Sequence, residues 1–133
     1  MCNVGGCCST GWAEELPSGC PPPSAFDPTG QTMYRLMAGT APTADDFRSH
    51  RSLYPDKQFN TTDCRARSVS VWTCVERCQQ LLLHPAHKSK SIASVVIAPG
   101  SGALTARGQL GHCCWWLCGA YDPVSHAAVV ELT

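Results

Sequence analysis

The sequence lacks the features that mark membrane, exported and nucleic-acid-binding proteins. No apolar run approaches the roughly 18 residues that a membrane-spanning helix needs. The first residues have neither the basic nor the apolar region of a signal peptide. Charged residues make up only 15% of the chain, with ten basic and ten acidic side chains, so the molecule is not a polycation. We therefore expect a cytoplasmic protein that has no membrane segment and no nucleic-acid partner.

Cysteine is abundant, although the short motif Cys-x-x-Cys is absent. The ten cysteines are Cys2, Cys7, Cys8, Cys20, Cys64, Cys74, Cys78, Cys113, Cys114 and Cys118. The lack of a signal peptide argues against a disulfide framework. The Cys-x-x-x-Cys pairs that begin at Cys74 and Cys114 could form a thiolate metal site with His112, but zinc sites usually have a shorter spacing. We expect no metal and interpret the cysteines in apolar segments as small buried hydrophobes. These are Cys78, Cys113, Cys114 and Cys118.

Length and composition predict one domain with an irregular arm. A chain of 133 residues is long enough for one hydrophobic core. Residues 1–30 are dominated by Gly, Pro, Ser and Cys, and three successive prolines there fit neither a helix nor a central strand. We predict an irregular arm over residues 1–30 and an α+β domain over residues 31–133.

Charge is distributed unevenly along the chain. Residues 1–46 carry one basic and five acidic side chains (net −4), and residues 108–133 carry two acidic ones (net −2). Residues 47–107 carry nine basic and three acidic side chains, a net charge of +6. This middle segment is suited to hold an anion such as a phosphate. The alternative is an ordinary surface on which charges of both signs are solvated.

The strongest local pattern predicts a strand, a helix and a strand over residues 68–98. The first five of these residues alternate, with Val69 and Val71 on one face, which is typical of a half-buried strand. Thr73 and Glu76 have the spacing of a capping box, in which each residue satisfies a backbone amide of the other. The helix should therefore begin directly after Thr73.

The remaining segments predict a mainly antiparallel sheet and a second short helix. The proline at position 85 should end the first helix near Leu83. Thr43 precedes two carboxylates and is a suitable N-cap for a short helix within residues 41–51. Residues 52–66 should form a loop. Further strands are expected at Thr32–Ala38, Ile92–Ala98, His112–Cys118 and Ala127–Leu132, the last with a short helix as its alternative.

A few polar residues in these strands are candidates for binding or chemistry. Arg35 lies between two methionines on one strand face, so it either reaches solvent or holds an anion in a cleft. His112 opens an aromatic strand and could be an acid, a base or a ligand, although a lone histidine is more often structural. Ser68, Ser70 and Trp72 share one face, which is either a cleft wall or a solvated outer face.

Three stretches resemble a family of small, mostly uncharacterised bacterial proteins. They are Pro42-Thr43-x-x-Asp46-Phe47-x-Ser49-His50, Ser68-Val69-Ser70-Val71 before a helix, and Gly111-His112 with a Trp shortly after. This resemblance covers residues 33–120 and supplies no function. More distantly, the chain resembles the ADP-ribosyltransferase superfamily. The shared features are an Arg on the first strand, alternating serines on a strand that runs into a helix, and a late Glu.

The superfamily resemblance implies a site for NAD. Arg35 would hold the NAD phosphates, and Ser68 and Ser70 would support the nicotinamide pocket. Glu131 would polarise the ribose, because cleavage of the nicotinamide–ribose bond builds positive charge that a carboxylate stabilises. Trp72 or Trp116 could stack on a ring. The chain departs from the superfamily in having Ser-Val-Ser for Ser-Thr-Ser, and in lacking Glu-x-Glu or Gln-x-Glu near its end.

These observations leave three functional hypotheses. The preferred one is a small non-enzymatic binding or regulatory module with a protein partner. The second is an ADP-ribosyltransferase-like enzyme acting on NAD, and the third is a thiolate metal-binding or redox protein. The candidate catalytic residues are Arg35, Ser70, His112 and Glu131. The candidate cofactor-binding residues are Arg35, Ser68 and Trp72. Convergence of the catalytic candidates in one cleft would favour the enzyme, and their scattering would favour the module.

Overall fold

The structure, a computed structural model, describes residues 11–106 and 110–131. Six strands form one antiparallel sheet in the order β4-β5-β2-β1-β3-β6. The strands are β1 (Thr32–Met37), β2 (Val69–Trp72), β3 (Ser91–Val96), β4 (Gly102–Ala106), β5 (His112–Leu117) and β6 (Ala127–Val129). The helices are α1 (His50–Leu53), α2 (Asp63–Ala66) and α3 (Val75–Leu81). The predicted α+β fold with a mainly antiparallel sheet is confirmed, with three short helices where two were expected.

The sheet has one apolar and one polar face where β2 pairs with β5. Val69 faces Trp115 and Val71 faces Cys113 across these strands, and all four belong to the apolar core. Phe47 packs edge-on against Trp115, with ring centroids 6.5 Å apart. On the opposite face Ser70 is paired with Cys114, and Trp72 with His112. The predicted alternation of residues 68–72 therefore places serine and tryptophan on the face that does not carry this core.

The capping box predicted for α3 is wrong. The helix begins at Val75 after the N-cap Cys74, and no side chain caps it. The amide of Thr73 donates instead to the carbonyl of Gly111 (3.0 Å), so Thr73 extends the pairing of β2 with β5. Glu76 accepts a hydrogen bond from the Cys74 thiol (2.8 Å). A long-range backbone contact thus replaces the local cap.

The segment between β1 and β2 contains more helix than expected. Thr43 is an N-cap, but it caps a 3₁₀ helix at Ala44–Phe47. Ser49 caps the separate helix α1 by accepting from the Ser52 amide. The region predicted as a loop ends in α2, which Thr62 caps in the same way. These short helices stand beside the polar face and supply much of the site described below.

The N-terminal arm lies along the sheet edge at β4, a strand that the sequence analysis did not predict. Isolated bridges join Trp12 to Cys118 and Phe26 to Leu104. A disulfide joins Cys20 in the arm to Cys64 in α2. The predictions for residues 1–10 lie outside the described residues. The arm therefore covers an edge that would otherwise expose unpaired backbone groups.

The cysteines divide into disulfide-bonded and free groups. Besides the Cys20–Cys64 pair, Cys118 is disulfide-bonded: it is buried as expected, but it is not a free thiol. The free cysteines among the described residues are Cys74, Cys78, Cys113 and Cys114. Burial raises the pKa of Cys78 to about 11, so it stays a thiol at neutral pH. In the described part of the chain, no helix is both long and apolar enough to cross a bilayer.

Candidate functional site

A serine and a histidine meet on the polar face of the sheet. Because β2 and β5 are antiparallel neighbours, Ser70 Oγ lies 3.0 Å from His112 Nε2. The Trp72 ring lies against the His112 ring, with centroids 5.3 Å apart. Gly111 adopts φ +77°, and a Cβ there would come within 2.5 Å of Thr73 Oγ1. Only glycine fits this close approach, which sets the start of β5 and therefore the position of His112.

Arg35 reaches the same strand from β1 and is oriented by backbone carbonyls. Its Nη1 donates to the carbonyl of Ser70 (2.6 Å), and its Nε donates to the carbonyl of Asp46. The Asp46 carboxylate accepts hydrogen bonds from the Ala38 amide (3.0 Å) and from the amide (2.8 Å) and hydroxyl (2.9 Å) of Thr43. Burial lowers the pKa of Arg35 to about 10, so the guanidinium stays charged at neutral pH. It is a fixed, partly desolvated cation.

Two cavities adjoin these residues. One, the Arg35 cavity, has a volume of about 450 Å³ and is lined by Arg35, His50 and Lys90, among others. The other, the Ser70 cavity, has a volume of about 220 Å³ and is lined by Ser70, His112 and His50. His50 therefore stands at the rim that both cavities share.

His50 is a site residue that the sequence analysis missed. Its ring stacks on Phe59, with centroids 6.1 Å apart at 19°. The pKa of His50 is lowered, first by desolvation and then by the positive charges of Arg35, Lys57 and Lys90. His50 occurs in the motif Ser49-His50 quoted above, but the motif does not indicate which cations surround it in three dimensions.

The Arg35 cavity contains carboxylates as well as cations, and Asp46 acts on the charge of Arg35 by raising its pKa against the effect of burial. Asp45 pairs with Arg48 outside the cavity (3.2 Å). Asp46 is occupied by the contacts given above. Among the described residues, neither Arg35 nor Lys90 forms an ion pair with a carboxylate. An anion that entered the cavity would meet two cations that form no close ion pair in the part of the chain that the structure describes, with the Asp46 carboxylate nearby.

The other candidate residues lie away from the Ser70–His112 pair or have a structural role. Glu131 is exposed and follows β6, which β1 and β3 separate from β2, so it does not join the site. Ser68 donates to the carbonyl of Arg65 (2.7 Å) and ties α2 to β2. Trp116, considered as a stacking surface, is 2% exposed, and its Nε1 donates to the carbonyl of Cys64 (2.9 Å). Arg35, Ser70, Trp72 and His112 are thus brought together without the glutamate.

The four thiolates of the alternative metal site are not assembled. Within residues 11–106 and 110–131, no group of three or more His, Cys, Asp or Glu side chains is arranged to hold a metal ion. Cys118 is disulfide-bonded, and Cys78 is a buried thiol on α3.

Comparison with known proteins gives no relative: no family model, no curated protein and no solved structure matches this chain.

Proposed function

We propose that the protein is a small non-enzymatic binding module whose ligand is an anion held in the Arg35 cavity. The observation that carries the proposal is the Arg35 guanidinium, which two backbone carbonyls orient and which forms no close ion pair with a carboxylate among the described residues. Lys90 and His50 line the same cavity. Oriented donors that are partly removed from water bind anions more strongly than solvated ones.

The protonation state of His50 should make anion binding depend on pH. Nearby cations and desolvation lower its pKa, and a bound anion would counteract the repulsion from those cations. Anion binding should therefore take up a proton at His50. Affinity should increase as the pH falls through the range in which His50 titrates.

Calorimetric titration with inorganic phosphate at low salt tests this proposal. Lys90→Ala should weaken binding about fivefold, equivalent to about 1 kcal/mol for one partly exposed charge. Lys88→Ala is the matched control, since Lys88 is exposed and lines no cavity described above. Arg35→Lys keeps the charge but loses the planar fork and should weaken binding at least about tenfold. The absence of phosphate binding by the folded wild-type protein would contradict the proposal.

An enzyme acting on NAD is the second candidate, and the Ser70–His112 hydrogen bond favours it. A hydroxyl within 3.0 Å of an imidazole nitrogen has the geometry of a base that activates a nucleophile. The separate position of Glu131 argues against the ADP-ribosyltransferase chemistry, because the developing sugar cation would lack its carboxylate. Nicotinamide release from NAD, lost in both Ser70→Ala and His112→Ala, would support the enzyme.

Location and partner remain proposals. The cytoplasmic location stays a prediction, whereas the Cys20–Cys64 disulfide favours an oxidising compartment, because cytosolic disulfides are rare. A protein partner would suit a regulatory module, with the anion as an acidic side chain or a modified residue of that partner. The Cys20–Cys64 disulfide supports the redox form of the thiolate hypothesis.

A further inference from the structure

A third cavity continues the site across the sheet. It has a volume of about 600 Å³, lies beside the Cys20–Cys64 disulfide, and is here named the Cys64 cavity. Asn60, Thr61 and Arg65 line both this cavity and the Ser70 cavity. His50 in turn joins the Ser70 cavity to the Arg35 cavity. The three cavities therefore form one series, in which each cavity shares lining residues with the next.

Arg65 is an available cation at the boundary between the last two cavities. Its neighbours Arg51 and Arg67 both pair with Asp63, at 3.2 Å and 2.9 Å. In the described part of the chain, the Arg65 guanidinium makes neither an ion pair nor a hydrogen bond, and Arg65 is exposed. No acidic residue occurs among the described residues that line the Ser70 and Cys64 cavities. Both cavities thus offer hydrogen-bond donors to an anion, and no acidic residue among their described lining residues would repel it.

Thr105 supplies an independent observation in the Cys64 cavity. The residue is only 4% exposed, and its Oγ1 has no hydrogen-bond partner among the described residues. Buried hydroxyls are normally satisfied, so an unpaired one calls for a partner. Thr105 lines the Cys64 cavity. A ligand oxygen that accepts a hydrogen bond from this hydroxyl would supply the missing partner.

Sheet geometry sets the length of a ligand that contacts both ends of the series. Arg35 lies on β1 and Thr105 on β4, with β2 and β5 between them. Three interstrand spacings of about 4.8 Å place these strands about 14 Å apart. A single phosphate cannot contact both ends. A chain of anionic groups can contact Arg35, the donors of the Ser70 cavity and Arg65 in succession.

The aromatic residues distinguish between kinds of polyanion. Single-stranded nucleic acid binds through bases stacked on exposed aromatic faces. Trp116 in the Cys64 cavity is 2% exposed, and Phe59 is already stacked by His50. The series offers donors for phosphate groups but no such platform in its last two cavities.

We infer that the anion of the proposed function is a linear oligophosphate that extends from the Arg35 cavity to Arg65 and Thr105 in the Cys64 cavity. This inference rests on the proposed function for its first anchor. It adds the ligand class and a second set of binding residues.

The test compares ligands of increasing length on the full, oxidised chain at one low salt concentration. Inorganic phosphate, linear tripolyphosphate and long-chain linear polyphosphate are titrated in turn. The wild type should bind the long chain at least about tenfold more tightly than phosphate, counted per chain. Arg65→Gln should weaken long-chain binding about tenfold and leave phosphate binding unchanged. Arg77→Gln makes the same charge change on α3, away from the cavities, and should change neither affinity.

A second variant separates ligand contact from a structural role. Thr105→Val replaces the unpaired hydroxyl with a methyl group of similar shape. It should raise the melting temperature of the ligand-free protein, because a buried unsatisfied hydroxyl is removed. It should also weaken long-chain binding several-fold without affecting phosphate.

Three outcomes would overturn the inference. Equal affinities for phosphate and the long chain would show that the site ends at the Arg35 cavity. An equal loss for all ligands in Arg65→Gln would assign Arg65 a general electrostatic role. Tighter binding of a single-stranded oligonucleotide, competing with polyphosphate, would identify a nucleic acid as the ligand. If no anion binds at all, the proposed function itself fails, which is a different result from each of these.

Discussion

The two faces of the paired strands β2 and β5 show how neighbouring residues take on different roles. Val69, Val71 and Trp115 point into the apolar core. Ser70 and His112, from the same strands, meet on the other face and line a cavity. The apolar face is stabilised by burial, whereas the polar face is built from hydrogen bonds and from short helices, of which α2 is attached to the arm by a disulfide. The first face should govern stability and the second should govern binding.

The largest expected effect comes from breaking the apolar face. Trp115 is fully buried, so Trp115→Ala should lower the free energy of unfolding by about 3–5 kcal/mol. Trp72→Ala removes the same kind of side chain from the half-buried polar face and should have a much smaller effect. Urea unfolding followed by circular dichroism measures both variants. Equal losses would contradict the division between the two faces.

The next effect concerns the covalent attachment of α2 to the arm. The Cys20–Cys64 disulfide closes a segment with a sequence separation of 44 residues. The double change Cys20→Ser and Cys64→Ser should lower the free energy of unfolding by about 3 kcal/mol. Cys74→Ser, at a free and half-buried cysteine, is the control. Peptide mapping without reduction should recover Cys20 linked to Cys64, with Cys74 and Cys78 unlinked. Recovery of Cys20 as a free thiol would contradict the pairing.

The smallest effect is a pH dependence at the rim of the polar face. The pKa of His50 is lowered from its ordinary value of 6.5, so the unfolded chain binds more protons there than the folded one. The contribution of neutral His50 to stability is therefore complete above pH 6.5 and is lost as the pH falls below it. His50→Gln should flatten the slope of the free energy of unfolding against pH in this range. An unchanged slope would show that His50 does not contribute to the pH dependence of stability.

The apolar face could be predicted from the sequence because its signal is local. The alternation of Val69 and Val71 identified β2, and the dense run from His112 identified β5. The polar face depends on contacts between distant segments. The Thr73 amide pairs with Gly111, which displaced the expected capping box. Strand β4 was missed because Gly102–Ala106 is short and lacks a clear alternation of polar and apolar residues.

The site could be predicted only in part, for the same reason. Arg35, Ser70 and His112 were identified as candidates, and antiparallel pairing brought them together. The sequence did not indicate that Glu131 would lie beyond β6 at the far side of the sheet. It also did not indicate that His50 would join two cavities, because that position depends on the 3₁₀ helix and α1. The availability of Arg65 follows from the pairing of Asp63 with other arginines, which no local pattern reveals.

The most direct test of the central claim is a map of where an anion binds. Phosphate is added to isotopically labelled protein, and the side-chain and amide NMR signals are followed. We expect saturable shifts concentrated at Arg35, His50 and Lys90, with the His50 titration midpoint rising when phosphate is bound. Shifts absent from these residues, or spread evenly over exposed lysines and arginines, would contradict the claim that the polar face is an anion site.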